Sequence, residues 1–428
     1  MVKVALLGCG TVGSGVFRLL ESNRDLIAAR CGEIISVVRV LERDTARAAR
    51  LGIGPEMLAA DFAEILADDD IQVVVELIGG IEPARTFVLQ AMERGKHVVT
   101  ANKDLIAVHG RELFDTAEAC GVDFGFEASV GGGIPVIYPL KHSLAGNRIK
   151  EVIGIVNGTT NYILTRMTRE GSEFSHALRE AQELGYAEAD PSADVEGYDA
   201  ARKIAILASI AFNSRVTLDQ VYVEGITGLS PLDIVYGRDL GYVVKLLAIA
   251  QDIEGQLQVR VHPAFIPQAH PLAAVEDVYN AVFITGDAVG EVMFYGRGAG
   301  QMPTASAVVG DLMEIARGIH RGASGATTCT CFEQREMMPV DRLASKFYIR
   351  MLVKDRPGVL AAIAGVFGSH QVSIATVLQK TSGEEFAQLV LVTHYVAESD
   401  LRDALAVLDG MSIVADICCV VRVEGERR

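Results

Sequence analysis

The sequence predicts an α/β protein in three parts: a parallel-sheet domain first, a mixed α+β domain next, and a small βαββαβ sandwich of the ferredoxin-like kind at the end. Three observations carry this expectation. Short β-branched runs alternate with helical patterns over the first 130 residues, the rhythm of parallel strands joined by crossover helices. That rhythm breaks at SVGGGIPVIYPL, where glycines and prolines interrupt it. From residue 346 onward the order becomes strand, helix, two strands, helix, strand. At 428 residues the chain also exceeds one ordinary core.

In chain order, VKVALLG, EIISVVRVL, IQVVVELIG, KHVVTAN and VDFGFEA read as strands. TVGSGVFRLLESNRDLIAAR and EPARTFVLQAMERG read as helices between them, the second with Pro83 just inside its start and Gly95 at its end. These place a first domain over residues 1–130. A second, over 131–299, is helical from Asn161 to Phe212 and regains strands in EGQLQVRVHPAFIP and VYNAVFITGDAVGEVMFYG. A glycine loop and helix over about 300–320 are expected to pack back on the first domain. Residues 321–345 read as a linker, followed by a compact unit over 346–428.

Half the residues are hydrophobic, and the formal net charge is −16. A chain this acidic is not expected to bind nucleic acid or an anionic membrane, because phosphate binding needs a basic face. MVKVALLGCG enters a strand at once, leaving no room for a secretory leader. The apolar run KIAILASIAF is far short of the roughly 20 residues that cross a bilayer. Seven cysteines, without a C-x-x-C pair, read as reduced thiols of a cytoplasmic enzyme.

ALLGCGTVGSG places G-x-G-x-x-G at Gly8, Gly10 and Gly13, directly after a strand and opening a helix. In that context the glycines allow a tight turn and close approach of backbone to a pyrophosphate, which the helix N-terminus faces. The expectation is a Rossmann-type dinucleotide-binding domain. The second strand ends in VLERD, offering Glu42, Arg43 and Asp44. A carboxylate there binds ribose hydroxyls and an arginine meets a 2′-phosphate, so Glu42 favours NAD and Arg43 favours NADP, the balance tipping slightly to NADP.

Lys103, in TANKDL, follows a strand signal at its carboxyl end, where ligands bind in such sheets. GYAEADPSADVEGYDAARK carries Glu188, Asp190, Asp194, Glu196 and Asp199 and then Lys203. Asp199 and Lys203 are spaced i,i+4 on one helix and share a face. No charge follows Lys203 until Arg215, so the lysine stands where burial begins. A lysine partly withdrawn from water is a better proton donor near neutral pH, and reduction of a carbonyl needs such a donor. The carboxylates suit a substrate ammonium or hydroxyl; the G-x-D register of a calcium loop is missing.

GYAEADPSADVEGYDAARK, with Ala181 four residues before Gly185, resembles the signature of homoserine dehydrogenases, as do EVIGIVNGTTNYIL, TANK, EASVGGGIPVI and YGRGAGQMPTASAVV. This resemblance spans residues 1 to about 320, and KDRPGVLAAIAGVFGSHQVSI resembles the opening of an ACT domain. It implies reversible reduction of L-aspartate 4-semialdehyde to L-homoserine by NAD(P)H. Lys203 is then the proton donor and Lys103 assists near substrate and nicotinamide. Glu188 and Asp199 bind the amino and hydroxyl groups, with Asp194 nearby. Thr11, Val12, Gly185 and Gly300 line the cofactor pocket. The resemblance further implies Na+ or K+ held by Glu127 and the carbonyls of Val130, Gly132 and Ile134, and feedback inhibition by L-threonine through the ACT domain. A homodimer or homotetramer is expected. In the ACT-like unit, the amides after Pro357 and Gly358 start a helix and suit an amino-acid carboxylate. Glu42 stands where many relatives carry a neutral residue. The competing readings are a dehydrogenase of another amino acid and a catalytically silent sensor.

Overall fold

A computed structural model describes residues 1–323, 329–381 and 385–425. The chain forms two compact units. The first comprises Met1–Val152, Arg202–Val221 and Asn280–Gln334; the second comprises Ile153–Ala201, Tyr222–Tyr279 and Arg335–Arg428. The expected linker falls partly outside the described residues, at 324–328.

The N-terminal elements are β1 (Val2–Leu7), α1 (Thr11–Ser22), α2 (Arg24–Cys31), β2 (Ile35–Leu41), α3 (Thr45–Arg50), α4 (Phe62–Ala67), β3 (Val73–Glu76), α5 (Ala84–Glu93), β4 (His97–Thr100), α6 (Lys103–Cys120) and β5 (Phe124–Gly125). The strands form one parallel sheet in the order β2-β1-β3-β4-β5. Val73, Val74 and Val75 are wholly buried, as strands covered by helices on both faces require. The first helical pattern is two helices, because Asn23 ends α1 and begins α2. Pro83 caps α5 from one residue outside it. Only Phe124 and Gly125 of the VDFGFEA stretch pair as a strand, since 127–129 turn into a short 3-10 segment.

The middle of the chain supplies β6 (Ile149–Ile155), α7 (Gly158–Glu170), α8 (Phe174–Glu183), α9 (Ser192–Val195), α10 (Tyr198–Ala211), β7 (Tyr222–Val223), α11 (Pro231–Asp239), β8 (Tyr242–Ile253), β9 (Gln256–Pro267), β10 (Tyr279–Gly286), β11 (Gly290–Arg297) and α12 (Gln301–Arg321). In the first unit α12 lays Ala305, Val308, Leu312 and Ala316 into the same apolar core as Val4, Leu6, Val16 and Leu20 of β1 and α1.

The last part folds as β12 (Ala344–Lys354), α13 (Val359–Ser369), β13 (Ile374–Thr381), β14 (Phe386–Thr393), β15 (Val396–Ala397), α14 (Glu398–Asp409) and β16 (Val414–Val423). This is the βαββαβ order with one added two-residue strand. β12 pairs antiparallel with β14 and β16, and Phe347, Ile349, Ile363, Phe367 and Leu391 fill the space beneath the two helices. Gly358 caps α13 at φ +89°, so Pro357 and Gly358 precede the helix rather than begin it. Within the second unit this module is stitched to its neighbours twice. Arg422 and Val423 of β16 pair with Ala264 and Phe265 of β9, and the buried Arg350 of β12 donates to Asp233 of α11 at 2.6 Å. Among the described residues no helix is long and apolar enough to cross a membrane.

Candidate active site

The glycine loop lies at the carboxyl end of β1. Gly8 has φ +93°, and a Cβ on Gly13 would stand 2.0 Å from the Gly8 carbonyl oxygen, so the turn closes only with glycine there. Gly10 differs: a Cβ would meet nothing nearer than the Arg47 guanidinium at 4.0 Å. The space in front of Gly10 is thus open to a ligand, beside the first turn of α1 with Thr11 and Val12. These residues fit a dinucleotide's pyrophosphate. Glu42 turns inward: its carboxylate accepts from the Cys9 N–H at 2.6 Å and the Asp44 N–H at 2.9 Å. Burial, with the Glu42 charge beside it, pushes the Cys9 thiol up to about 12. Arg43 is exposed. Gly300, at φ +123°, caps α12, and Gln301 donates to Ser14 Oγ at 2.7 Å, bringing that cap to α1.

Lys103 is the first residue of α6, one step beyond Asn102, whose side-chain oxygen accepts from the Leu105 N–H at 3.1 Å and whose amide donates to the Gly80 carbonyl at 2.6 Å. Thr100 Oγ1 donates to the buried Glu76 carboxylate at 2.6 Å and accepts from the Asn102 N–H at 3.0 Å. The strand ends and the cap are therefore one hydrogen-bonded unit, and Lys103 follows the cap directly. Arg202 Nε pairs with Asp104 at 2.8 Å. Lys103 and Lys203 are each the chain neighbour of one member of that pair, so the ion pair brings the two lysines onto adjoining elements of the first unit. Both are half-buried, which makes the withdrawal of Lys203 from water partial.

In the second unit the acidic loop is organised by a residue that the reading of carboxylates and lysines overlooked. Asn157 caps α7, its oxygen accepting from the Thr160 N–H at 2.8 Å. Its amide donates to Asp194 at 2.7 Å and to Asp199 at 2.8 Å. Thr159 Oγ1 donates to the Tyr186 carbonyl at 2.7 Å, anchoring the loop to the same helix end. Asp199 is buried, whereas Glu188 and Gly185 are exposed, Gly185 with φ +74°. Asp190 is held below the usual carboxylate range by the Ser192 hydroxyl and N–H. Of the five carboxylates, Asp194 and Asp199 are thus brought together, and Glu188 stands at the surface. Asn157 lay within the stretch GIVNGTTNYIL; its signal was the asparagine before a helix start.

The glycine-rich turn after β5 is built on Glu127. Its buried carboxylate accepts from the N–H groups of Val136, Ile137 and Tyr138 at 2.6, 2.9 and 2.6 Å. Burial pushes this acid up, opposed by those three donors. Asp311 of α12 accepts from the Glu127 N–H at 2.9 Å and is pushed up to about 8 by burial and by the Glu127 charge. Between Val130 and Ile134 the chain turns through Gly131 and Gly132, at φ +75° and +57°. Gly132 packs on Gly298, and Gly298 packs on the Asn280 side chain. Asn280 Oδ1 is a buried acceptor with no hydrogen-bond partner among the described residues. An orphaned acceptor beside a loop of carbonyls fits a cation. The Glu127 carboxylate already has most of its acceptor sites engaged by backbone donors.

Comparison with known proteins bears on the same residues. Family models described as homoserine dehydrogenase, NAD binding domain, as homoserine dehydrogenase, and as ACT domain match residues 8–127, 135–313 and 347–410. A homoserine dehydrogenase of Synechocystis sp. is 48% identical over 99% of both chains. The crystal structure of a homoserine dehydrogenase from Thiobacillus denitrificans superposes with a TM-score of 0.93 at 41% identity, covering 99% of this chain and 98% of that one. A hyperthermophilic archaeal homoserine dehydrogenase in complex with NADPH aligns over 73% of this chain and 97% of its own, with a TM-score of 0.63 at 28% identity.

Proposed function

The chain belongs to the homoserine dehydrogenase family of NAD(P)-dependent oxidoreductases acting on a CH–OH group, and from that premise we propose that it interconverts L-aspartate 4-semialdehyde and L-homoserine with lysine-assisted proton transfer. The nicotinamide, when bound, supplies or accepts the hydride. Lys203 gives its Nζ proton to the carbonyl oxygen as the alkoxide forms, and Lys103 holds that oxygen in place. Asp199 and Asp194, spaced by Asn157, receive the substrate's ammonium and hydroxyl, with Glu188 contributing from the loop surface. The observation that carries this reading is the Arg202–Asp104 ion pair, which supports a shared task for the two lysines. Lys203→Ala is expected to lower kcat by about 10²–10⁴-fold with a much smaller change in KM, the loss typical of a removed general acid. Unchanged turnover would take Lys203 out of the mechanism.

Cofactor choice follows from Glu42 and Arg43. Because Glu42 is committed to loop amides, Arg47 beside Gly10 and the exposed Arg43 at the end of β2 are left as the cations, which supports NADP over NAD. Gly185 and Gly300 complete the cofactor's surroundings in this reading. The Asn280 acceptor and the carbonyls of Val130, Gly132 and Ile134 support Na+ or K+ at the glycine turn, with Glu127 contributing through its backbone or its remaining lone pair. The ACT domain is read as the receptor for L-threonine, and the exposed Met293 and Tyr295 of β11 support a homodimer or homotetramer. Seven free thiols support a reducing, cytoplasmic setting.

A further inference from the structure

Away from the groups assigned to the reaction, the first unit holds a cavity of about 290 Å³ whose wall includes Cys329, Cys331, Ser209, Arg215 and Lys141. We propose that Cys329 and Cys331 are a peroxide-reactive thiol pair, Cys329 attacking and Cys331 resolving, that closes to a disulfide within this wall.

Three contacts define the pair. Arg215 Nη2 donates to Cys329 Sγ at 3.7 Å, and the Cys331 N–H donates to the same sulfur at 3.5 Å. The Cys331 sulfur also lies 3.6 Å from the Ser209 carbonyl oxygen. Sulfur 329 therefore sits among donors and beside a cation, the surroundings that favour a thiolate. The Cys331 thiol and N–H, with Arg215 and Lys141, hold Cys329 down at about 6 against burial, while the same pairing pushes Cys331 up. The charged groups lining the cavity are Arg215, Lys141 and Arg111, all of one sign. Residues two apart lie at most about 7 Å between Cα atoms, near the upper end of what a disulfide spans, so closure asks only for a bend at Thr330.

The chemistry balances with hydrogen peroxide as oxidant. The Cys329 thiolate attacks one peroxide oxygen; the S–O bond forms, the O–O bond breaks and hydroxide leaves, giving a sulfenic acid. The Cys331 sulfur then attacks Cys329; the S–S bond forms and the S–O bond breaks, with the Cys331 proton leaving in water.

The test exposes the full-length protein to stoichiometric peroxide at pH 7, blocks remaining thiols with iodoacetamide and maps every cysteine by mass spectrometry. The expected result is loss of two hydrogens from the peptide bearing both cysteines, reversed by dithiothreitol, with the exposed Cys120 alkylated. In Cys331→Ser, dimedone is expected on Cys329, and Arg215→Gln is expected to slow that labelling several-fold. Recovery of both cysteines alkylated after peroxide, or dimedone on Cys120 in preference to Cys329, would overturn the proposal.

Discussion

Asn157 makes Asp194 and Asp199, the proposed substrate carboxylates, a pair. Two acids of one sign facing the same space repel, and the Asn157 amide, with one N–H toward each, relieves that repulsion while capping α7. Asn157→Leu is expected to raise KM for homoserine about tenfold or more and to cost about 1–3 kcal/mol, the scale of lost hydrogen bonds to charged groups. Asn157→Asp keeps the cap oxygen but sets a third carboxylate against the other two, so it should spare the helix and still raise KM. Urea titration and steady-state kinetics separate the two effects. Asp311 makes a different prediction. Its folded value of about 8 lies above its ordinary 3.8, so its contribution to stability is greatest below pH 3.8 and is lost as pH rises toward about 8. Asp311→Asn should flatten that fall, measured as the urea midpoint at pH 5.5 and 7.5; an unchanged slope would mean that the group titrates normally. Residues of this kind differ in legibility. The places of Lys103 after a strand end and of Lys203 one turn beyond Asp199 could be read because both are local facts. The cap made by Asn157 was readable in the same way, but its bridge was not, because Asp194 and Asp199 lie far along the chain and only the folded loop brings them to its amide.

The elements were legible where a single physical demand dominates. Short β-branched runs bounded by turn residues favour buried strands, and β1, β3 and β4 stand where the sequence puts them. Boundaries decided by one side chain were not legible. Asn23 breaks the first helix, and the turn at 127–129 cuts β5 to two residues. The glycine loop divides into two kinds of position, which gives a paired test. Gly13→Ala drives a methyl into the Gly8 carbonyl and should lower both Tm and dinucleotide affinity. Gly10→Ala meets open space, so it should leave Tm within a few degrees and weaken only cofactor binding. Equal loss of stability in both variants would contradict the division. At the other end, Arg350→Met takes the guanidinium from the buried Asp233 and is expected to cost about 3–5 kcal/mol, read from urea unfolding.

Across the whole molecule, the sequence reading returned about 300–320 to the first domain but put 131–152, 202–221 and 280–299 in the second, whereas the fold includes these in the N-terminal unit. Long-range returns of this kind leave no local mark, since each segment has the same apolar pattern whichever core it joins. The βαββαβ module was readable because it is continuous. Its coupling to activity, if threonine acts through it, requires that threonine bind two states of the enzyme unequally, so Arg350→Met should weaken inhibition along with stability. The proposed preference for NADP belongs to this scale as well: on that reading, Arg43→Ala combined with Arg47→Ala should raise KM for NADPH more than for NADH. The central claim is tested most directly by following nicotinamide absorbance as the purified full-length protein is given L-aspartate 4-semialdehyde, with NADPH and with NADH. The account predicts oxidation of the nicotinamide with L-homoserine as product, faster with NADPH and largely lost in Lys203→Ala. No turnover with either cofactor from a folded protein that binds the dinucleotide would contradict it.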